Sequence, residues 1–136
     1  MGYLSMMSSL FVAVGILIIV WNAFNVIRWR FKEHIMIGLE GSDGFLRATT
    51  AQVNAVEYIP IGLVALVILE LSKVNSLSLL IIGGVFLFGR ILHTYAILNE
   101  ANKEDYRLRK LSMMLTFIPL IVMSVALIVQ FLGLLT

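Results

Sequence analysis

Four long apolar stretches divide the chain, at about residues 3–27, 45–71, 76–98 and 111–135, and the charged residues gather mostly between them. Each stretch reaches the ~20 residues that a helix rising 1.5 Å per residue needs to cross ~30 Å of hydrocarbon. The pattern predicts an all-α membrane protein, one four-transmembrane-helix bundle over residues 1–136. The first stretch carries no charge, no basic leader and no small-residue cleavage site, so it reads as a retained span rather than a cleaved signal. It leads through Trp21, Asn22 and Asn25 into a basic, aromatic exit, Arg28-Trp29-Arg30-Phe31-Lys32-Glu33-His34. Gly38, Gly41 and Gly44 mark a loop, with Ser42 or Asp43 placed to cap the second helix. Residues 72–75 are a very short turn, which makes helices two and three antiparallel neighbours. Residues 99–110 form a second charged loop. Gly83, Gly84 and Gly89 in helix three are small enough to let helices approach closely.

The second stretch departs from a plain lipid-facing helix. Steps of three and four residues stay on one helix face. Arg47, Thr50, Asn54, Glu57 and Tyr58 therefore form a polar stripe, with Ala48, Val53, Ala55, Val56 and Ile59 opposite. Pro60 lies further along and predicts a kink. Helix three carries its own polar set, Arg90, His93, Thr94 and Tyr95. A charge at bilayer centre costs roughly 2.5–3.5 kcal/mol on insertion scales, so Glu57 and Arg90 are expected to turn inward and to meet each other or share a polar ligand. An ion pair that only orients the bundle is the plainer alternative.

Composition reinforces the membrane reading. The chain is 60% hydrophobic and 13% charged, against roughly 25% charged in soluble domains. There is no cysteine, which removes disulfides, thiolate metal sites and a cysteine nucleophile. His34 and His93 without clustered carboxylates predict no metal site. A net charge of +2 gives no case for nucleic acid. Its distribution is more telling: Arg28, Arg30, Lys32 and Arg47 flank the first long loop, Lys103, Arg107, Arg109 and Lys110 the second, and Lys73 stands alone on the other side. The positive-inside rule then puts both charged loops in the cytoplasm and the termini opposite. A simple chain with short loops suits a bacterial inner membrane.

The residues also resemble a known family. Thr50-Ala51-Gln52-Val53-Asn54-Ala55-Val56-Glu57-Tyr58-Ile59-Pro60 resembles the second-helix signature of the MAPEG family (membrane-associated proteins in eicosanoid and glutathione metabolism), in its leukotriene-C synthase form. Arg90-Ile91-Leu92-His93-Thr94 is similar to the Arg-x-x-His-Thr of microsomal glutathione transferase, Arg109-Lys110-Leu111-Ser112 to the start of the family's fourth helix, and Arg28-Trp29-Arg30 to its first-helix exit. The resemblance implies a homotrimer that binds glutathione, as co-substrate, between subunits near the cytoplasmic face. It implies conjugation of the thiol to a hydrophobic electrophile arriving from the bilayer, or reduction of a lipid peroxide.

Residue by residue, the resemblance assigns Asn54, Glu57 and Tyr58 to glutathione, with Gln52 and Arg28 or Arg30 reaching a neighbouring subunit's ligand and Arg90 and His93 lining the pocket. Arg109 would be catalytic, lowering the thiol pKa from its free value of ~8.5; Arg107 is its rival. The chain departs from the pattern at Thr50, where the family often has an arginine that Arg47 could replace, and at Ile97, where it often has a tyrosine. These departures leave open a non-catalytic member that binds another anionic small molecule or acts as a membrane scaffold. A drug–proton exporter built on Glu57 is disfavoured by Arg90 and the basic mouth, which repel cationic drugs.

Overall fold

The computed structural model describes residues 6–99 and 106–133. Within them lie four helices, α1 (Met7–Glu33), α2 (Asp43–Leu71), α3 (Ser76–Asn99) and α4 (Arg107–Phe131). All four are long and apolar enough to cross a bilayer, and the chain is an integral membrane protein. The expected start at Tyr3, the charge run over residues 100–105 and the expected end at Leu135 lie outside the described residues.

The helix ends differ from the apolar boundaries. α1 continues past residue 27 through the basic exit to Glu33 and stops at His34, whose left-handed backbone (φ 55°) turns its N–H onto the Arg30 and Phe31 carbonyls. α4 begins at Arg107, so the arginines assigned to the second loop sit in its first turn. Loss of apolar character marks where hydrocarbon ends, and Arg, Lys and Glu are good helix formers that carry the helix on into water. Pro60 and Pro119 lie inside helices that run on past them.

The connections are tied by side chains. Ser42 is the N-cap of α2, its Oγ accepting from the Phe45 N–H at 3.4 Å. Ser42 also donates its N–H (2.9 Å) and hydroxyl to the Glu33 carboxylate, which fastens the end of α1 to the start of α2. In the short turn, Asn75 Oδ1 accepts from the Leu77 N–H at 2.8 Å and so satisfies a donor in the first turn of α3. At that same end of the bundle the Glu70 carboxylate accepts from the Met7 N–H (2.5 Å), the Ser8 N–H (2.9 Å) and the Ser8 hydroxyl. A carboxylate from the end of α2 thus caps the start of α1, where the helix dipole favours negative charge.

α2 and α3 form the short diagonal of a rhombus. Each contacts the other and both outer helices, while α1 and α4 make no contact among the described residues. Phe11, Ile18, Ile59, Leu63, Leu66 and Phe86 fill the core shared by α1, α2 and α3. Lipid gives no hydrophobic drive for helices to associate, so close packing must hold them. Missing side chains provide it: Phe86 fills the space a Cβ on Gly62 would take, and Phe11 does the same at Gly83. At Gly89 the neighbour is the Leu115 backbone itself, so α3 and α4 touch main chain to main chain. Gly84, expected to serve the same purpose, has nothing within 4 Å. It lies on the exposed side of α3.

Candidate functional site

The buried polar groups belong mainly to α3. Arg90, His93 and Thr94 stand three and four residues apart on its inner face and are 2%, 2% and 7% exposed. Arg90 Nη1 donates to Thr116 Oγ1 at 3.2 Å, and Thr116 donates to the Ser112 carbonyl at 2.9 Å. The Arg90 guanidinium lies 5.1 Å from the centroid of the Tyr58 ring, a cation–π contact. Tyr58 in turn meets Phe117 edge-on, centroids 5.5 Å apart at 74°. His93 Nδ1 is 2.9 Å from Ser112 Oγ, and that hydroxyl donates to the Arg109 carbonyl at 2.8 Å. With the serine proton engaged by the Arg109 carbonyl, this contact calls for the His93 tautomer protonated on Nδ1. Thr94 Oγ1 accepts from Asn22 Nδ2 at 3.3 Å, which ties α3 to α1. The Arg-x-x-His-Thr set is therefore a three-way fastener. Two members hold α4, directly below its arginines, and one holds α1.

The expected approach of Glu57 and Arg90 is not what the bundle adopts. Glu57 is exposed and forms no ion pair with Arg90 among the described residues. The register of α2 is the reason. Ala51, Ala55 and Ile59 form its buried edge, which turns Tyr58 toward Arg90 and Glu57 away. The guanidinium is satisfied by a hydroxyl and a ring face instead, with Nε left unpartnered. Val53 and Val56, expected on the side opposite the stripe, are also exposed.

The rest of the stripe, Tyr58 apart, lies toward the outside. Thr50 is exposed; Arg47, Asn54 and Tyr58 are half-buried, and Asn54 Nδ2 donates to the Thr50 carbonyl at 2.9 Å. Gln52 is half-buried, and its Oε1 is buried without a hydrogen-bond partner. Near the loops, Arg28 donates to Asn25 Oδ1 at 3.1 Å, and Arg30 donates to the Gly38 carbonyl at 3.2 Å while stacking on Phe45 at 5.2 Å.

At the loop end of α2, α3 and α4 a cavity of about 280 Å³ opens to the outside, lined by Asp43, Leu46, Arg47, Thr50, Ile97, Tyr106 and Arg109. It brings together two of the expected ligand-contacting arginines, Arg47 from α2 and Arg109 from the first turn of α4. Arg109 is half-buried; Arg107 is exposed and does not line the cavity. The other expected residues, Arg28, Arg30, Gln52, Asn54, Glu57, Tyr58, Arg90 and His93, lie off its walls. Asp43 and Tyr106 line the cavity as well, neither of them expected there. Asp43 reads as a helix-capping residue, and Tyr106 ends a loop whose path the sequence does not fix. The cavity offers cationic, anionic and hydroxyl groups within one small volume, a set suited to a zwitterion with more than one carboxylate.

The chain is thus a membrane bundle of four helices, with an Arg-x-x-His-Thr fastener on the third and with Arg47 and Arg109 brought to one open cavity at its loop end. The chain belongs to the MAPEG family, which it matches over residues 8–129. It is similar to the inner membrane protein YecN of Escherichia coli strain K12, at 30% identity over 121 residues covering 89% of each chain. YecN of Escherichia coli O6:H1 matches to the same extent.

Proposed function

We propose that the protein is a glutathione-dependent membrane transferase or peroxidase working as a homotrimer. The observation that carries this reading is the convergence of Arg47 and Arg109 on one open cavity at the polar end of the bundle. Guanidinium groups pair with carboxylates through two parallel hydrogen bonds, and glutathione has two carboxylates. Asp43 on the same wall offers an acceptor for its ammonium group. Ile97 stands where family members often have a tyrosine, and Tyr106 brings a phenol to the same cavity.

The trimer rests on the outward stripe. Thr50, Asn54 and Glu57 face away from their own subunit, and a charge left against hydrocarbon is costly. A neighbouring copy that covers this face would give Glu57 its partners and close the ligand site from the second side, with Gln52 and Arg28 or Arg30 contributing across the interface. Arg109 would stabilise the thiolate while a hydrophobic electrophile or lipid peroxide enters from the bilayer. The chain would sit in a bacterial inner membrane with both charged loops in the cytoplasm; the similar YecN is named an inner membrane protein.

The test is a thermal-shift titration of purified protein with glutathione and with an analogue lacking the thiol, since a ligand that binds only the folded state stabilises it by mass action. Both should stabilise, and glutathione alone should add thiolate absorbance. Arg109→Ala should abolish that absorbance and keep binding, while Arg107→Ala should change neither. Absence of stabilisation by both compounds refutes the reading. A non-catalytic member is the second reading, favoured by Ile97 in the cavity wall; it predicts stabilisation by another small anion and none by glutathione.

A further inference from the structure

Two cavities on the opposite side of α3 from α4 share three wall residues, Trp21, Leu98 and Asn99. The larger, about 660 Å³, is a groove between α1 and α3 with walls of Leu17, Phe24, Ile91 and Tyr95, and it is almost wholly apolar. The smaller, about 430 Å³, lies beyond its loop end and holds Arg28, Arg47, Asn25 and Trp29. Trp29 lies over the first turn of α2, in the space a side chain on Gly44 would occupy. No carboxylate lines this polar chamber among the described residues. The Arg47 side chain is half-buried and makes no hydrogen bond or ion pair among the described residues. The two cavities therefore adjoin, a greasy shaft beside a cationic, tryptophan-walled head, and together they make up a channel.

The dimensions select the occupant. Along α1 the shaft runs from Val14 to Phe24, about ten residues or ~15 Å of helix rise. That is half of a ~30 Å hydrocarbon core, one leaflet's depth. Arg28 and Trp29 follow four and five residues after Phe24, at the level where tryptophan prefers the membrane–water boundary. An amphiphile that already stands in that leaflet fits without changing its depth or its tilt.

We propose that this channel binds one anionic phospholipid of the surrounding leaflet, its phosphate between Arg28 and Arg47 and an acyl chain along the α1–α3 groove. The Asn25 amide, which accepts from Arg28, holds the guanidinium at the chamber. The buried Thr94 supplies a hydroxyl in the shaft wall, at the level of Tyr95 and Leu98. The site adjoins the cavity that holds Arg109, and Arg47 lines both.

Native mass spectrometry of the full chain released from nanodiscs tests this, with phosphatidylglycerol and phosphatidylcholine of identical acyl chains supplied in equal amounts. The expected result is preferential retention of phosphatidylglycerol. Arg28→Ala, at an exposed position, should weaken the affinity for phosphatidylglycerol about fivefold, the worth of one arginine at an anionic membrane surface. Ile91→Trp, which fills the shaft, should displace both lipids. Glycerol phosphate in excess should displace neither. Folding of each variant is checked by circular dichroism. Equal retention of the two lipids, or a preference untouched by Arg28→Ala, overturns the proposal. Displacement by glycerol phosphate would make the chamber a site for free phosphates and also overturn it. So would an oligomer that dissociates with Ile91→Trp while its lipid stays bound, since the groove would then belong to a second copy.

Discussion

The contact between α3 and α4 at Gly89 can be tested against an internal control. A Cβ built at Gly89 would lie 2.9 Å from the Leu115 carbonyl carbon, 2.9 Å from its Cβ and 3.0 Å from its oxygen. Carbon atoms pack best at ~3.5–4.0 Å, so Gly89→Ala requires one helix to move by roughly 0.6–1 Å. The neighbour is main chain, so no rotamer change can absorb the shift. Overpacking of this kind costs about 1–3 kcal/mol. Alanine also returns about 1 kcal/mol of helix propensity, but it does so equally at Gly84, where a new methyl meets nothing within 4 Å. The difference between Gly84→Ala and Gly89→Ala isolates the packing term. It should be about 1–3 kcal/mol in favour of Gly84→Ala, read as unfolding free energy in detergent by denaturant titration with tryptophan fluorescence. Equal stabilities within about 0.5 kcal/mol, the ordinary scatter of surface substitutions, would refute main-chain contact at this crossing. The same displacement would lengthen the 3.2 Å Arg90–Thr116 and 2.9 Å His93–Ser112 bonds.

Three further outcomes follow from individual side chains. Thr116→Val keeps the shape and leaves the buried Arg90 guanidinium short of a second acceptor in addition to Nε; a loss of about 1–3 kcal/mol is expected, with Thr49→Val, at a half-buried hydroxyl bonded only within its own helix, as a milder control. Glu70→Gln should weaken the cap on α1 by about 1 kcal/mol and speed amide exchange at Met7 and Ser8, while exchange in α4 stays unchanged. Ser112→Ala removes the bridge from His93 to the Arg109 carbonyl, so the first turn of α4 should exchange faster and the Arg109-dependent thiolate signal should fall, with glutathione stabilisation largely kept.

The spans were legible because hydrocarbon thickness sets a length that the apolar runs had to meet. The neighbours of α2 and α3 followed from a turn too short for any other arrangement. The outer ends of α1 and α4 were not legible, since helix propensity continues after apolar character stops. In the site, the Arg90, His93 and Thr94 set stood out as polar residues at membrane depth, and their inward face could be foreseen. Their partners could not. Ser112, Thr116 and Asn22 are each ordinary in sequence; the crossing at Gly89 pairs the first two with α3, and the packing of α1 on α3 pairs Asn22 with Thr94. The rotation of α2 decided against a Glu57–Arg90 pair. Carboxylate and tyrosine are adjacent, and a turn of about 100° per residue chooses between them. Nothing in the local sequence sets it.

The two carboxylate clasps bear on how the bundle comes into being. Glu33 holds Ser42 at one end of the α1–α2 pair, and Glu70 holds Ser8 at the other. The second clasp joins residues 62 positions apart, so α1 enters the membrane with its leading N–H groups dependent on water or lipid headgroups. They gain a protein partner only after the whole of α2 has been made and has crossed back. The Glu33–Ser42 clasp needs only the first loop, whereas the Glu70 clasp needs the closed α1–α2 hairpin, so the second fastens the pair at its far end.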